Sequence, residues 1–343
     1  LTGVDVKKIP LNDPKVISLF TTPKALNMNG NYLKSKTGSS GLPEYGTDTC
    51  SDILVKAKPK SFADVVAVAG LAHGTNVWQH NQEDLIKEGT MTLHDCIAAR
   101  DDIMKYLIAH GVPSAVAFDT MEKVRKGKKI PEKHLPILKE HNIPTYYIDA
   151  CNKIKYLYPK AHAVAYATMA VRVGYFKVYY PLEFYAVWFS ARCDAYDIYA
   201  MLGGYDKIVT RYEQIKRSLN DRTQKVSNKD KAIYGMLEVC IEMAERGFKF
   251  SNIDLYKSDA TQFIVDKENG ALIPPFIVID GLGESAAQSV IEARKDGEFS
   301  SKEDLLRRTK LNGTNVDDLS ALGVLDGLGE SDQMSLFEFG LEM

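Results

Sequence analysis

The chain has few cysteines, no strong charge of either sign and little alternation of apolar with polar residues. Its five cysteines, Cys50, Cys96, Cys151, Cys193 and Cys240, include no C-x-x-C pair. That argues against a structural zinc site or a disulfide framework, and makes a reducing compartment, the cytoplasm, the expected setting. The formal net charge of −2 names no partner, because local clusters are hidden in the sum. No signal-peptide pattern is present, and the apolar stretch 163–192 is interrupted by Arg172, Lys177 and Pro181. It reads as a buried helical pair and not as a membrane span. At 343 residues, 45% hydrophobic and 26% charged, the composition is that of an ordinary globular protein of two or three domains. The start at Leu1 leads us to expect a fragment of something larger, with further domains upstream.

What is present is organised around residues 158–192, YPKAHAVAYATMAVRVGYFKVYYPLEFYAVWFSAR. On a helical wheel Val164, Ala167, Val171, Gly174 and Val178 form a small apolar side suited to close packing. His162, Tyr166, Met169, Val173 and Lys177 fall on the other side. Pro159 fits a first helical turn. Lys160 and His162 then lie where free N–H groups and the helix dipole favour an anion.

Upstream, Asp13 and Pro14 read as N-cap and first residue of a helix with Val16, Ile17 and Phe20 on its apolar face. Residues 27–49, rich in Gly, Ser and Asn, read as a mobile loop. Residues 61–78 open with a Ser61–Asp64 helix start and end in His73-Gly74-Thr75. That turn either presents a ring and backbone N–H groups to a ligand or is a helix end closed by glycine. Residues 91–110 carry a Thr92–Asp95 capping signal, a stripe of Ile97, Ile103, Leu107 and Ile108, and Arg100 and Lys105 projecting elsewhere. The helix of residues 113–129 ends in Lys123, Arg125, Lys126, Lys128 and Lys129, either a solvated basic end or a polyanion contact. Residues 131–157 read as a connector and an amphipathic helix. Two further helices are expected around 197–219 and 229–247.

Texture changes at 249–278, where alternation predicts a short hairpin around Asn269-Gly270, and Pro274-Pro275 suggests a domain boundary. Gly281-Leu282-Gly283 then leads into a helix from about Ser285. Gly313-Thr314-Asn315 repeats the theme as a turn before another helix. A glycine hairpin followed by a helix brings backbone N–H groups close to phosphates, a contact that reads the nucleic-acid backbone and not its bases. The alternative is an ordinary helical hairpin. The acidic end of the chain holds Gln333-Met334-Ser335-Leu336-Phe337, the shape of a linear motif whose apolar pair fills a partner's pocket.

Taken together, LTGVDVKKIPLNDPKV, GLPEYGT, SFADVVAVAGLAHGTNVW, RDDIMKYLI, KIKYLYPKAHAVAYATMAVRVGYFKVYYPLEFYA, ERGFKFSNIDLY, the GLG unit and QMSLF resemble one family along essentially the whole chain. It is the PolC-type family, the replicative DNA polymerase III alpha subunits of low-GC Gram-positive bacteria and mycoplasmas, which are bacterial family C DNA polymerases. One departure is Ala72, where many relatives have Ser. Another is the run EFGLEM after Phe337.

The resemblance implies a mainly α fold. Helical fingers would occupy 1–248 and a tandem helix-hairpin-helix duplex-binding domain with a minor β-hairpin 249–327. A flexible C-terminal tail with a sliding-clamp motif would occupy 328–343. It implies a DNA-directed DNA polymerase, a nucleotidyltransferase, whose palm carboxylates, Mg and proofreading exonuclease lie outside this segment. The segment alone is then expected to be inactive and to bind no metal. The implied nucleotide-binding residues are His73, Gly74, Thr75, Arg100, Lys105, Arg125, Lys126, Lys160 and His162. For DNA they are Lys128, Lys129, Gly281, Leu282, Gly283, Ser285, Gly313, Thr314 and Asn315, and for the clamp Gln333, Met334, Ser335, Leu336 and Phe337. Primer-template DNA, incoming dNTP, the beta sliding clamp, the clamp loader and other replisome proteins are the implied partners, with no membrane. The alternatives are a non-catalytic module bridging DNA and clamp, or a related error-prone family C polymerase.

Overall fold

The structure is a computed structural model that describes residues 1–221 and 223–331. The motif at Gln333–Phe337 lies outside the described residues. The chain is mainly helical, as expected, and divides into two compact units. The first holds residues 2–27 and 34–180. The second holds Leu1, residues 28–33 and the chain from Pro181 on. This division is by compactness and differs from the segments expected from sequence. Among the described residues no helix is long and apolar enough to cross a membrane.

In the first unit, α1 (Pro14–Ser18) starts where Asp13 accepts the Val16 N–H at 2.9 Å, as its Asp-Pro signal predicts. Thr47 caps α2 (Asp48–Ala57). Ser61 and Asp64 close a reciprocal capping box on α3 (Phe62–His73). A kinked turn over Trp78–Gln82 leads to α4 (Glu83–Lys87). The Thr92–Asp95 box exists but caps only a 3-10 turn. The long helix starts later, as α5 (Arg100–Ala109), with Asp102 accepting the Ala99 N–H at 2.8 Å. Ile97, Ile103 and Leu107 are buried as expected, whereas Ile108 is exposed.

The chain continues through α6 (Ser114–Val124), α7 (Leu135–Glu140), α8 (Thr145–Lys153) and α9 (Lys160–Tyr179). Helix α3 packs on α2 and α9, and α5 on α6. Gly70 lets α3 approach so closely that an added Cβ would lie 2.2 Å from the Ala98 carbonyl oxygen.

The wheel for α9 needs correction. Ala163, Ala167, Ala170, Val171 and Gly174 are buried, but Val164 faces solvent and Lys177 belongs to the buried face. The stripe drifts around the helix over five turns, so one wheel direction does not describe both ends. Pro159 is the N-cap and Lys160 the first helical residue. The Gly/Ser-rich loop is a loop, but its second half is firmly anchored. Lys177 Nζ donates to Gly38 O and Ser40 O, and Tyr45, fully buried, donates to Val65 O.

In the second unit α10 spans Pro181–Arg192. The helix expected at 197–219 is two, α11 (Ile198–Leu202) and α12 (Tyr205–Asn220), broken where Gly204 takes φ +77°. Helix α12 packs on α13 (Asn228–Glu245). Residues 28–33 lie against this pair. Tyr32 donates from its hydroxyl to Glu213 and from its N–H to Glu245, each at 2.6 Å.

The hairpin around Asn269-Gly270 is present as β2 (Ile264–Asp266) and β3 (Ala271–Ile273), and β1 (Lys249–Phe250) adds to β3 in parallel. Pro274-Pro275 does not separate two units. Ser258 Oγ donates to Pro274 O, and the Phe276 N–H donates to Asp259 O. The remaining elements are α14 (Glu284–Ala293), α15 (Lys302–Arg308) and α16 (Gly313–Ala321).

Candidate functional site

The short link from α8 to α9, residues 154–159, is where three other segments of the first unit meet. The Thr75 N–H donates to Tyr156 O at 3.0 Å, and the Lys155 N–H returns to Thr75 O at 3.0 Å. The Arg100 N–H, at the start of α5, reaches Tyr158 O at 3.4 Å. Gly127 has φ +72° and lies so close that a Cβ would meet Lys155 O at 2.6 Å. The ends of α3 and α6 and the starts of α5 and α9 are thereby fixed to one strip of backbone.

Side chains gather on the same strip. The His73 ring is 5.2 Å from Tyr158 and 6.4 Å from Tyr166, and Tyr158 meets the His162 ring edge-on at 5.7 Å. His73 Nε2 lies 3.4 Å from Glu44 Oε2. Burial, with Tyr166 beside it, pushes the Tyr158 hydroxyl above its ordinary pKa. Arg125 caps the end of α6, two residues before the Gly127 that packs on Lys155 O. Of the residues expected around a nucleotide, His73, Thr75, Arg100, Arg125, Lys160 and His162 therefore share one neighbourhood. Lys105 does not join it; it is exposed on α5 without an ion-pair partner among the described residues. The N–H groups of Gly74 and Thr75 donate to Gly70 O and Tyr156 O, so neither is free for a ligand. Gly74 is extended at φ −81°, not left-handed, and is glycine because a Cβ would meet Val77 Cγ2 at 2.4 Å.

The cations of the site have carboxylates of their own. Lys160 Nζ is 2.5 Å from Asp102 Oδ1, and the Lys160 N–H donates to Asp101 Oδ2 at 3.2 Å. The anion expected at the start of α9 is thus supplied by the chain itself. Arg125 grips Glu122 with two hydrogen bonds, and Lys126 lies 3.2 Å from the same carboxylate. These contacts, Arg125 first, hold the Glu122 carboxyl down to about 2. Lys123 lies 3.9 Å from Asp119, which leaves Lys128 and Lys129 as the exposed part of the basic cluster with no ion-pair partner among the described residues. Sequence reasoning gave no role to Glu44, Asp101, Asp102, Tyr158 or Tyr166. Tyr158, which opens the central stretch, and Tyr166, on the same side of the wheel as His162, carried a signal.

In the second unit Gly281 takes φ +77° and Leu282 is buried, anchoring the hairpin. Gly283 is the N-cap of α14, with open space where a Cβ would be. The second copy is shifted from its expected place. Gly313-Thr314-Asn315 is the first turn of α16, not a turn before it, because Asn312 and Asn315 form the capping box. Asn315 is buried in that box, while Gly313 and Thr314 are exposed. Lys310, not singled out from sequence, joins the two copies. Its N–H donates to Ser289 Oγ at 2.8 Å and its Nζ to Ser285 Oγ at 3.0 Å. A groove of about 920 Å³ runs beside them, lined by the cations Lys295, Arg308 and Lys310 and by the carboxylates Glu284, Glu292 and Asp296. Among the described residues no three of His, Cys, Asp or Glu converge on a point that could hold a metal ion.

Two stretches of the chain match known protein families. Residues 2–141 match the bacterial DNA polymerase III alpha subunit finger domain, and residues 247–334 match a helix-hairpin-helix motif. The chain is 48% identical over 337 residues to DNA polymerase III PolC-type of Clostridium perfringens, covering 98% of this chain and 23% of that protein. It is 47% identical over 339 residues to the PolC-type protein of Ureaplasma parvum, with the same two coverages. To that of Lactococcus lactis it is 44% identical over 344 residues, covering 98% and 21%. The chain thus spans under a quarter of the length of these relatives.

Proposed function

The chain belongs to the PolC-type DNA polymerase III family, and on that premise we propose that it is the nucleotide- and duplex-handling part of a DNA-directed DNA polymerase. The first unit binds the incoming dNTP against the template. The helix-hairpin-helix region grips the duplex backbone. The tail segment Gln333–Phe337 binds the sliding clamp, and the polymerase works with the clamp loader and other replisome proteins in the cytoplasm.

The observation that carries the reading is the gathering of His73, Arg100, Arg125, Lys160 and His162 around residues 154–159. A triphosphate is polyanionic, and its transfer requires neutralised charge and fixed geometry. Lys160 and Arg125 supply charge from the ends of two different helices, and the His73, Tyr158 and His162 rings, tilted against one another, offer an aromatic face and edges to a base. On binding, each cation exchanges its own carboxylate for a phosphate. Mg²⁺, held by a part of the polymerase other than the described residues, would neutralise the rest of the triphosphate. No residue described here is assigned to the metal, and the segment by itself is expected to be inactive.

The test is steady-state kinetics of the full-length polymerase carrying Lys160→Met or Arg125→Met. Each should raise the nucleotide KM by about 10- to 150-fold, the equivalent of roughly 1.5–3 kcal/mol for one charge-assisted hydrogen bond. Unchanged KM and kcat in both variants would reject the assignment. For the tail, alanine at Leu336 and Phe337 together should abolish clamp pull-down; persistence of the pull-down would rule the motif out.

A further inference from the structure

The loop of residues 37–47 is held more tightly than a connector needs. Lys177, with no exposed surface, brings its charge into the core and donates to Gly38 O at 2.9 Å and Ser40 O at 2.5 Å. The Thr37 and Ser39 hydroxyls pair at 3.0 Å in the buried part of the loop. Tyr45, also without exposed surface, donates to Val65 O at 2.7 Å and meets Phe20 edge-on at 5.0 Å. Between these anchors Glu44 is forced to φ +66°, a left-handed conformation that an L side chain resists. The side chain of this strained residue places Oε2 3.4 Å from His73 Nε2, on the ring that also faces Tyr158 and Tyr166.

From this geometry we propose that Glu44 is a positioning residue: it fixes the His73 ring against Tyr158, and through His73 it shapes the nucleotide site. This rests on the placement of His73 at that site. The strain has a direction that suits the proposal. A glycine at 44 would relieve it and keep the loop's path, so stability alone favours glycine there. A glutamate held in that conformation is accounted for by what its carboxylate touches. The buried Lys177 and Tyr45 are the struts of the same device, since they set where residue 44 sits.

The test separates this role from a structural one because the two move in opposite directions. In the full-length polymerase, Glu44→Gly should leave the thermal midpoint unchanged or raised. It should raise the nucleotide KM about fivefold, the upper range for a half-exposed polar contact, with kcat little changed. Glu44→Gln should give the same KM effect with side-chain volume retained. His73→Ala should raise KM at least as much, and adding Glu44→Gly to it should give no further rise. If His73→Ala raises KM while both Glu44 variants leave it at the wild-type value, the proposal is overturned and the nucleotide reading stands. If His73→Ala itself leaves KM unchanged, the placement of His73 fails and the proposal falls with it. A lowered midpoint in Glu44→Gly, or additive effects in the double variant, would make Glu44 a structural or independent residue and overturn the proposal.

Discussion

Lys177 Nζ and the Gly38 carbonyl oxygen, 139 residues apart in sequence, are hydrogen-bonded at 2.9 Å with the lysine fully buried. A charged head inside a core is tolerated only when its donors are used, and the second bond, to Ser40 O, uses another of them. The side chain ties the fifth turn of α9 to the Gly/Ser-rich loop.

Replacing Lys177 by Met shortens the side chain by one atom and removes its donors. Gly38 O and Ser40 O then lose their partner in a place water reaches poorly. The expected loss is about 1–3 kcal/mol in urea unfolding, together with faster proteolysis within residues 37–41. A variant as stable as the wild type would show that the carbonyls find other partners.

His134 predicts a dependence on pH. It is buried, with Nδ1 3.0 Å from Thr120 Oγ1 and Nε2 3.5 Å from Asp119 Oδ2. Burial lowers its pKa, against the opposing pull of Asp119 and with Lys133 and Lys123 adding to the fall. The unfolded chain therefore takes up the proton more readily than the folded one. The stability is fully present above the unfolded value of about 6.5 and is lost below it, by at most about 1.4 kcal/mol per pH unit. Urea midpoints at about pH 7.5 and about pH 5.5 should differ more in the wild type than in His134→Gln. Equal differences would remove His134 as the source.

Lys310, just before α16, is tied to α14 through Ser285 and Ser289. If the groove beside it receives a DNA backbone, Lys310→Met should weaken duplex binding to a similar degree for unrelated sequences. It should also reduce the slope of log affinity against log salt by about 1. An unchanged slope would place the phosphates elsewhere, and a sequence-dependent loss would contradict backbone recognition.

Local signals were legible in the chain because they are short-range. The caps at Asp13 and Ser61, the hairpin at Asn269-Gly270 and the hairpin glycine at Gly281 each depend on neighbours within a few residues. The break at Gly203-Gly204 also left a mark in the sequence, but two adjacent glycines inside an amphipathic pattern do not say whether the helix bends or ends. The charge clusters were read less well. Lys123, Arg125 and Lys126 look like a bare basic run on paper, and α6 instead brings Asp119 and Glu122 round to them at helical spacing. Asn315 looked like a turn residue and is a buried cap partner, because a capping box and a glycine turn share the same residue types.

By itself the sequence determined a mainly helical chain, the starts of helices such as α1 and α3, and the motif set that resembles a PolC-type polymerase, since these follow from local propensity and from the order of residues. Tertiary structure alone decided that residues 154–159 collect His73, Arg100, Arg125 and Lys160, that Asp101 and Asp102 occupy the start of α9, and that Lys177 turns inward to hold the loop carrying Glu44. Those pairings join residues tens of positions apart, and no local pattern encodes them. They arise when the closely packed α3 and α9 bring the ends of their loops together, so that side chains far apart in sequence neutralise one another at a few ångströms.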